Sequence, residues 1–112
     1  MKKSFVRLGS NSNFRRVYRY GKSKANKLLV MIVLKRESGP NSYGFSVSKK
    51  VGNSVVRHHI TRLLRESVRE LDARVENSYD IVIVARSSCS ECGLKEIKSA
   101  VEHLFKIHGI LK

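Results

Sequence analysis

Acidic residues are scarce in this sequence: nine Asp and Glu stand against 23 Lys and Arg, a formal charge of +14 over 112 residues. A balance this one-sided destabilises a compact state by self-repulsion, so an anionic partner is expected to offset it. Nucleic acid is the first candidate and an acidic membrane surface the second. Long hydrophobic runs are also missing, and no stretch reaches the roughly 20 apolar residues of a membrane span. The opening MKKSFVRLGS has no apolar segment of the kind that directs secretion. A cytoplasmic location is therefore expected, with Cys89 and Cys92 kept reduced there. Tryptophan is absent, proline occurs once, and the seven glycines follow no period, which excludes repeats and low-complexity segments. What is present, 41% hydrophobic residues, suffices for one core in a single domain over 1–112.

The patterning predicts the order α-β-β-α-β-α. Asn11 or Ser12 caps a short helix in which Phe14, Val17 and Tyr18 share a face, ending at Gly21. After a basic turn, the apolar run Lys27 to Leu34 reads as a strand, rich in β-branched Val30, Ile32 and Val33. Turn residues at 37–41 predict a hairpin return into an alternating strand, Ser42 to Ser48. Asn53 or Ser54 then caps the longest helix, about Val55 to Arg74, with Val56, Ile60, Leu63, Leu64 and Leu71 on its buried side. Tyr79 to Ala85 is apolar enough for a strand buried on both faces. A final helix from about Gly93 to His108 turns Leu94, Ile97, Val101, Leu104 and Phe105 inward. The architecture this implies is an α/β sandwich with helices packed on a small sheet.

The densest chemical signal lies between Lys49 and Glu66. A turn supplies Lys49 and Lys50, and the helix after it carries Arg57 and a stripe of His58, Arg62, Arg65 and Arg69. Arginine suits phosphate because its planar fork donates two parallel charge-assisted hydrogen bonds, and a helix holds those forks at fixed spacing. A solvated charged face is the plainer reading of such a helix. In the first helix, Phe14 and Tyr18 stand among Arg15, Arg16 and Arg19. Aromatics beside cations suit stacking on unpaired bases, although periodicity alone also makes both rings core anchors.

Other chemistry is thin. Adjacent His58 and His59 diverge by about 100° on a helix and cannot flank one phosphate, so acid–base cleavage by the protein is not expected. Cys89 and Cys92 form a C-x₂-C half-site, but His103 and His108 point about 140° apart on their helix, so no metal site is expected.

The segment GFSVSKKVGNSVVRHHITRLLRE resembles the ribonuclease P protein family, whose usual pattern is K-K-V-G-N-A-V-x-R-N-R-x-K-R-x-x-R. Phe14, Val17 and Gly21 echo a second family pattern, F-x-x-V-x-x-x-G, and element order, length and basicity agree along nearly the whole chain. The resemblance implies an α/β sandwich with a left-handed βαβ crossover, like the second domain of ribosomal protein S5, against the usual right-handed rule. It implies that Arg57, Arg62 and Arg65 lie near a catalytic RNA, preceded by the basic pair Lys49 and Lys50. Phe14, Tyr18, Val30 and Ile32 would line a cleft for the single-stranded 5′ leader of precursor tRNA. Catalysis would belong to the RNA and its Mg²⁺, with no protein partner required. The sequence departs from the pattern at Ser54, His58, His59 and Thr61, where Ala, Asn, Arg and Lys are usual. His58 keeps hydrogen-bonding capacity, whereas His59 and Thr61 remove two positive charges. A basic ribosomal or RNA-chaperone protein without an enzyme partnership is the alternative, since fold does not dictate function.

Overall fold

A computed structural model describes residues 5–112, with side chains described from Arg7 onward. The elements are β1 (Phe5–Arg7), α1 (Asn11–Tyr20), β2 (Lys22–Ala25), β3 (Leu29–Lys35), β4 (Asn41–Ser46), α2 (Ser54–Leu71), β5 (Tyr79–Ala85) and α3 (Leu94–His108). They form one mixed five-stranded sheet in the order β1-β4-β5-β3-β2. Strand β5 is central, antiparallel to β3 and parallel to β4. Because α2 connects the parallel neighbours β4 and β5, the three make a βαβ unit.

Two strands were not anticipated. The segment after α1, expected to be a basic turn, is β2, which pairs antiparallel with β3. All four of its residues are exposed, so it carries no apolar alternation, and its two lysines suit a sheet edge. Strand β1 has three residues and pairs parallel with β4. The expected hairpin is also corrected: β3 and β4 do not pair, because β5 inserts between them. A turn signal marks a reversal of the chain but does not choose the strand's neighbour. The long helix ends at Leu71 and continues as one tighter turn over Asp72–Arg74.

The sheet separates two apolar clusters. On one face Leu29, Met31, Val33, Tyr43, Ile81 and Ile83 pack against Ile60, Leu64 and Val68 of α2 and Ile97, Val101, Leu104 and Phe105 of α3. Each such side chain, fully buried, contributes roughly 1.5–3 kcal/mol. Polar side chains in this core bond to one another: the Asp72 carboxylate accepts from Tyr43 Oη at 2.7 Å and from Asn41 Nδ2 at 2.9 Å. Burial, followed by the Asp72 charge, drives the Tyr43 phenol far above its ordinary range, so it stays a donor.

On the other face α1 lies alone over a smaller cluster of Leu8, Val17, Ile32 and Val82. Two glycines permit this docking. A Cβ at Gly21 would sit 2.6 Å from Val17 O and 2.7 Å from Ile32 Cγ2, and one at Gly44 would sit 2.4 Å from Phe14 Cζ. The spacing of Phe14, Val17 and Gly21 is thus the set of contacts that seats α1 on the sheet.

Candidate nucleic-acid interface

Helix α2 starts where Asn53 Oδ1 accepts from Val56 N at 3.0 Å, which selects Asn53 as the cap. Its inner side is held by Ile60, Leu64, Val68 and Leu71, all buried. That anchorage leaves His58, His59, Arg62, Arg65 and Arg69 exposed along the outer side. Lys49 and Lys50 are exposed in the turn before the helix. Arg57 lies at the flank of the stripe, half-buried, and its Nε is enclosed with no hydrogen-bond partner among the described residues. Thr61 Oγ1 donates to Arg57 O at 2.8 Å, so this hydroxyl is turned back onto the helix.

The charges on α2 are unequally engaged. Arg69 Nη1 pairs with Glu66 Oε1 at 2.5 Å. Arg57, Arg62 and Arg65 form no ion pair with any described residue. Elsewhere three acids are paired with cations: Glu70 with Lys98, Glu102 with Arg74, and Asp80 with Arg16 and Arg36. Apart from Glu66, these acids neutralise cations away from the outer side of α2, and among the described residues its three motif arginines have no acidic partner.

The α1 face of the sheet can be read in three rows from the strand register. Leu34, Asp80 and Ser42 form the first, Ile32, Val82 and Gly44 the second, and Val30, Val84 and Ser46 the third. Arg16 of α1 pairs with Asp80 in the first row at 2.8 Å, and Val17 and Phe14 cover the second. Helical geometry then puts Phe14 and Tyr18 on the flank toward the third row, with about 100° per residue separating them from Arg16. The third row is only partly covered. Tyr18 is 47% exposed, and Phe14 and Val30 are half-buried, where the resemblance puts the leader cleft. Ile32, placed in this cleft by resemblance, is 5% exposed and lies beneath α1 as core. Val84 and Ser46 were not foreseen there. Only the pairing of β5 between β3 and β4 places them beside Val30.

The cysteines and histidines of the C-terminal half lie in different surroundings. Cys89 is buried and Cys92 half-buried, and desolvation raises both thiols above their ordinary range. His103 Nδ1 lies 3.1 Å from Asn26 Nδ2, and His108 Nε2 lies 3.0 Å from Met31 O.

Together these features define a class: a small mixed α/β protein that braces a strongly cationic helix on one face of its sheet. The ribonuclease P family model matches residues 1–109. Similar relatives include the ribonuclease P protein components of Lachnoclostridium phytofermentans, 53% identical over 93% of this chain and 90% of that one, and Alkaliphilus oremlandii, 48% identical over 93% and 91%. The Staphylococcus aureus RNase P protein structure aligns with TM-score 0.86 and 32% identity over 95% of this chain and 97% of that one. The Thermotoga maritima RNase P protein shares the fold, with TM-score 0.83 and 24% identity over 90% and 96%. The chain belongs to the ribonuclease P protein family, and so to a tRNA-processing ribonucleoprotein nuclease. Among the described residues no helix is long and apolar enough to cross a membrane.

Proposed function

We infer that this chain is the protein subunit that joins a catalytic RNA to precursor tRNA in the cytoplasm and promotes removal of the 5′ leader. The observation that carries this reading is the uncompensated set Arg57, Arg62 and Arg65 on a helix anchored by its opposite side. With Lys49, Lys50, His58 and Arg69 it forms the surface for the catalytic RNA. The cleft beside Phe14, Tyr18 and Val30 receives the leader, through stacking and backbone contacts that tolerate many sequences.

Mg²⁺ belongs to the RNA in this scheme. Five of the protein's nine carboxylates are already engaged: Glu66, Glu70, Asp80 and Glu102 each face a cation, and Asp72 accepts from Tyr43 and Asn41. The protein's part is to screen repulsion between two polyanions and to orient the leader, with no side chain acting as acid or base and no further protein partner.

The test combines the chain with a ribonuclease P RNA at low Mg²⁺ and follows 5′ processing of precursor tRNA. Stimulated cleavage, with tighter binding of leader-bearing than of mature tRNA, is expected. No stimulation, or equal binding of the two tRNAs, would favour a ribosomal or RNA-chaperone role instead.

A further inference from the structure

The segment from Cys89 to Cys92 joins β5 to α3 and contributes to neither of the RNA surfaces proposed above. Ser87–Cys89 form one tight helical turn, and Cys92 N donates to Cys89 O at 3.1 Å, which closes a further turn over 89–92. A four-residue turn keeps its end Cα atoms within about 7 Å, and a disulfide spans about 4.4–6.8 Å between Cα atoms. The backbone therefore already holds the two cysteines at bridging separation. Both are free thiols. Burial raises the Cys89 thiol most and the neighbouring Cys92 sulfur adds to it, as expected of two sulfurs in close proximity.

The two thiols differ in access. Cys89 is 0% exposed and belongs to the main core, with Leu28 and Cys92 packed against that core from outside. Cys92 is half-buried and lines a cavity of about 760 Å³ between the β2–β3 bend and α3. That volume falls within the roughly 300–1,000 Å³ of small-ligand sites. Leu28 and Ala100 give the cavity apolar lining, and Lys27 and Lys95 border it. Both lysines are exposed and form no ion pair with any described residue. The acid that also lines the cavity, Glu96, accepts from Gly93 N at 2.8 Å. Two unpaired cations beside a reachable thiol suit a small molecule that carries carboxylates and a sulfur able to exchange.

We propose that Cys92 and Cys89 form a reversible redox-modification site whose oxidant is the disulfide of a small, carboxylate-bearing thiol. The Cys92 thiolate attacks one sulfur of that disulfide, a mixed disulfide forms, and one small thiol leaves. The Cys89 thiolate then attacks the Cys92 sulfur, the mixed disulfide breaks, and the second small thiol leaves. The protein gives up two electrons, which the small disulfide accepts, and the two thiol protons pass to the two released thiols. The order follows from access, since only Cys92 can be reached from the cavity. Burial disfavours the thiolate at both positions, so the reduced pair gains no special stabilisation and the balance tilts toward the bridge. An excess of small thiols restores the dithiol by the same steps in reverse.

The test incubates the reduced, full-length chain with oxidised glutathione, quenches with an alkylating reagent and maps the products by mass spectrometry. A Cys89–Cys92 bridge within one chain is expected, about 2 Da lighter than the dithiol and reversed by excess reduced glutathione. In the unmodified chain the earliest glutathione adduct should sit on Cys92. Cys89→Ala should stop at that adduct, and Cys92→Ala should react about tenfold more slowly or worse, because the remaining thiol is enclosed. The adduct order in the unmodified chain decides the point should either variant fail to fold. Changing Lys27 and Lys95 together to glutamine should slow oxidised glutathione about three- to tenfold and leave neutral hydroxyethyl disulfide unchanged. Absence of the bridge, bridges only between chains, or a first adduct on Cys89 would overturn the proposal. So would a lysine double variant that slows both disulfides alike or neither. None of these readouts involves RNA, so they stand or fall apart from the function proposed above.

Discussion

Replacing Gly44 with alanine tests whether α1 is seated by the contact between Phe14 and the backbone of β4. The added Cβ would lie 2.4 Å from Phe14 Cζ and 2.9 Å from Cε1, inside any tolerable contact. Leu8 Cδ2, at 3.1 Å, closes a further side. The ring must therefore swing out or carry α1 with it, an overpacking cost of about 1–3 kcal/mol. At roughly 4 °C per kcal/mol for a domain of this size, the melting temperature should fall by roughly 4–12 °C. Phe14→Ala alone should cost about 1–3 kcal/mol, less than the ~3–5 of a fully enclosed ring because Phe14 is half-buried. Made together, the two changes relieve the clash, so the double variant should cost less than the sum by about 1–2 kcal/mol. Urea unfolding of the four proteins measures this coupling. An undisturbed Gly44→Ala protein, or strict additivity, would refute the described seating of α1.

Asp80→Asn removes the buried acid that holds both Arg16 and Arg36. Those arginines reach solvent, so the loss should be about 1–3 kcal/mol by denaturant unfolding, below the ~3–5 of a fully enclosed pair. His108 is held below its ordinary range, first by burial and then by Lys24 and Lys22, against the opposing bond to Met31 O. The unfolded chain thus takes up a proton first, and stability is lost as the pH falls through the ordinary histidine range. His108→Asn should flatten the dependence of melting temperature on pH between about pH 7 and 5, and an unchanged profile would contradict the assignment. His59 is exposed beside Arg62 and Arg65 in a shallow surface groove. His59→Arg should strengthen RNA affinity and steepen its salt dependence, and no change in either would remove His59 from the interface.

The elements with strong periodicity were legible from the residues alone. The stripe of His58, Arg62, Arg65 and Arg69 is exposed opposite buried Ile60 and Leu64, because 3.6-residue geometry leaves few alternatives. The apolar run at 79–85 likewise sits at the centre of the sheet. Strand β2 was not legible, since four exposed residues reading Lys-Ser-Lys-Ala carry no pattern, and pairing with β3 is what makes them a strand. The separation of β3 from β4 was invisible for a related reason: strand neighbours are chosen by long-range packing of β5, not by the turn between them. The expected leader cleft carried the same blind spot. Ile32 and Val30 look equivalent in sequence, and only the position of α1 over the second row buries one and leaves the other partly open.

The account stands most directly on how the affinity for ribonuclease P RNA varies with salt when Arg57, Arg62 and Arg65 are all changed to glutamine. Three lost phosphate contacts should lower the slope of log K against log salt by about 2–3 and weaken binding, with the fold retained. A slope and affinity equal to those of the unmodified protein would contradict the claim that this helix grips RNA.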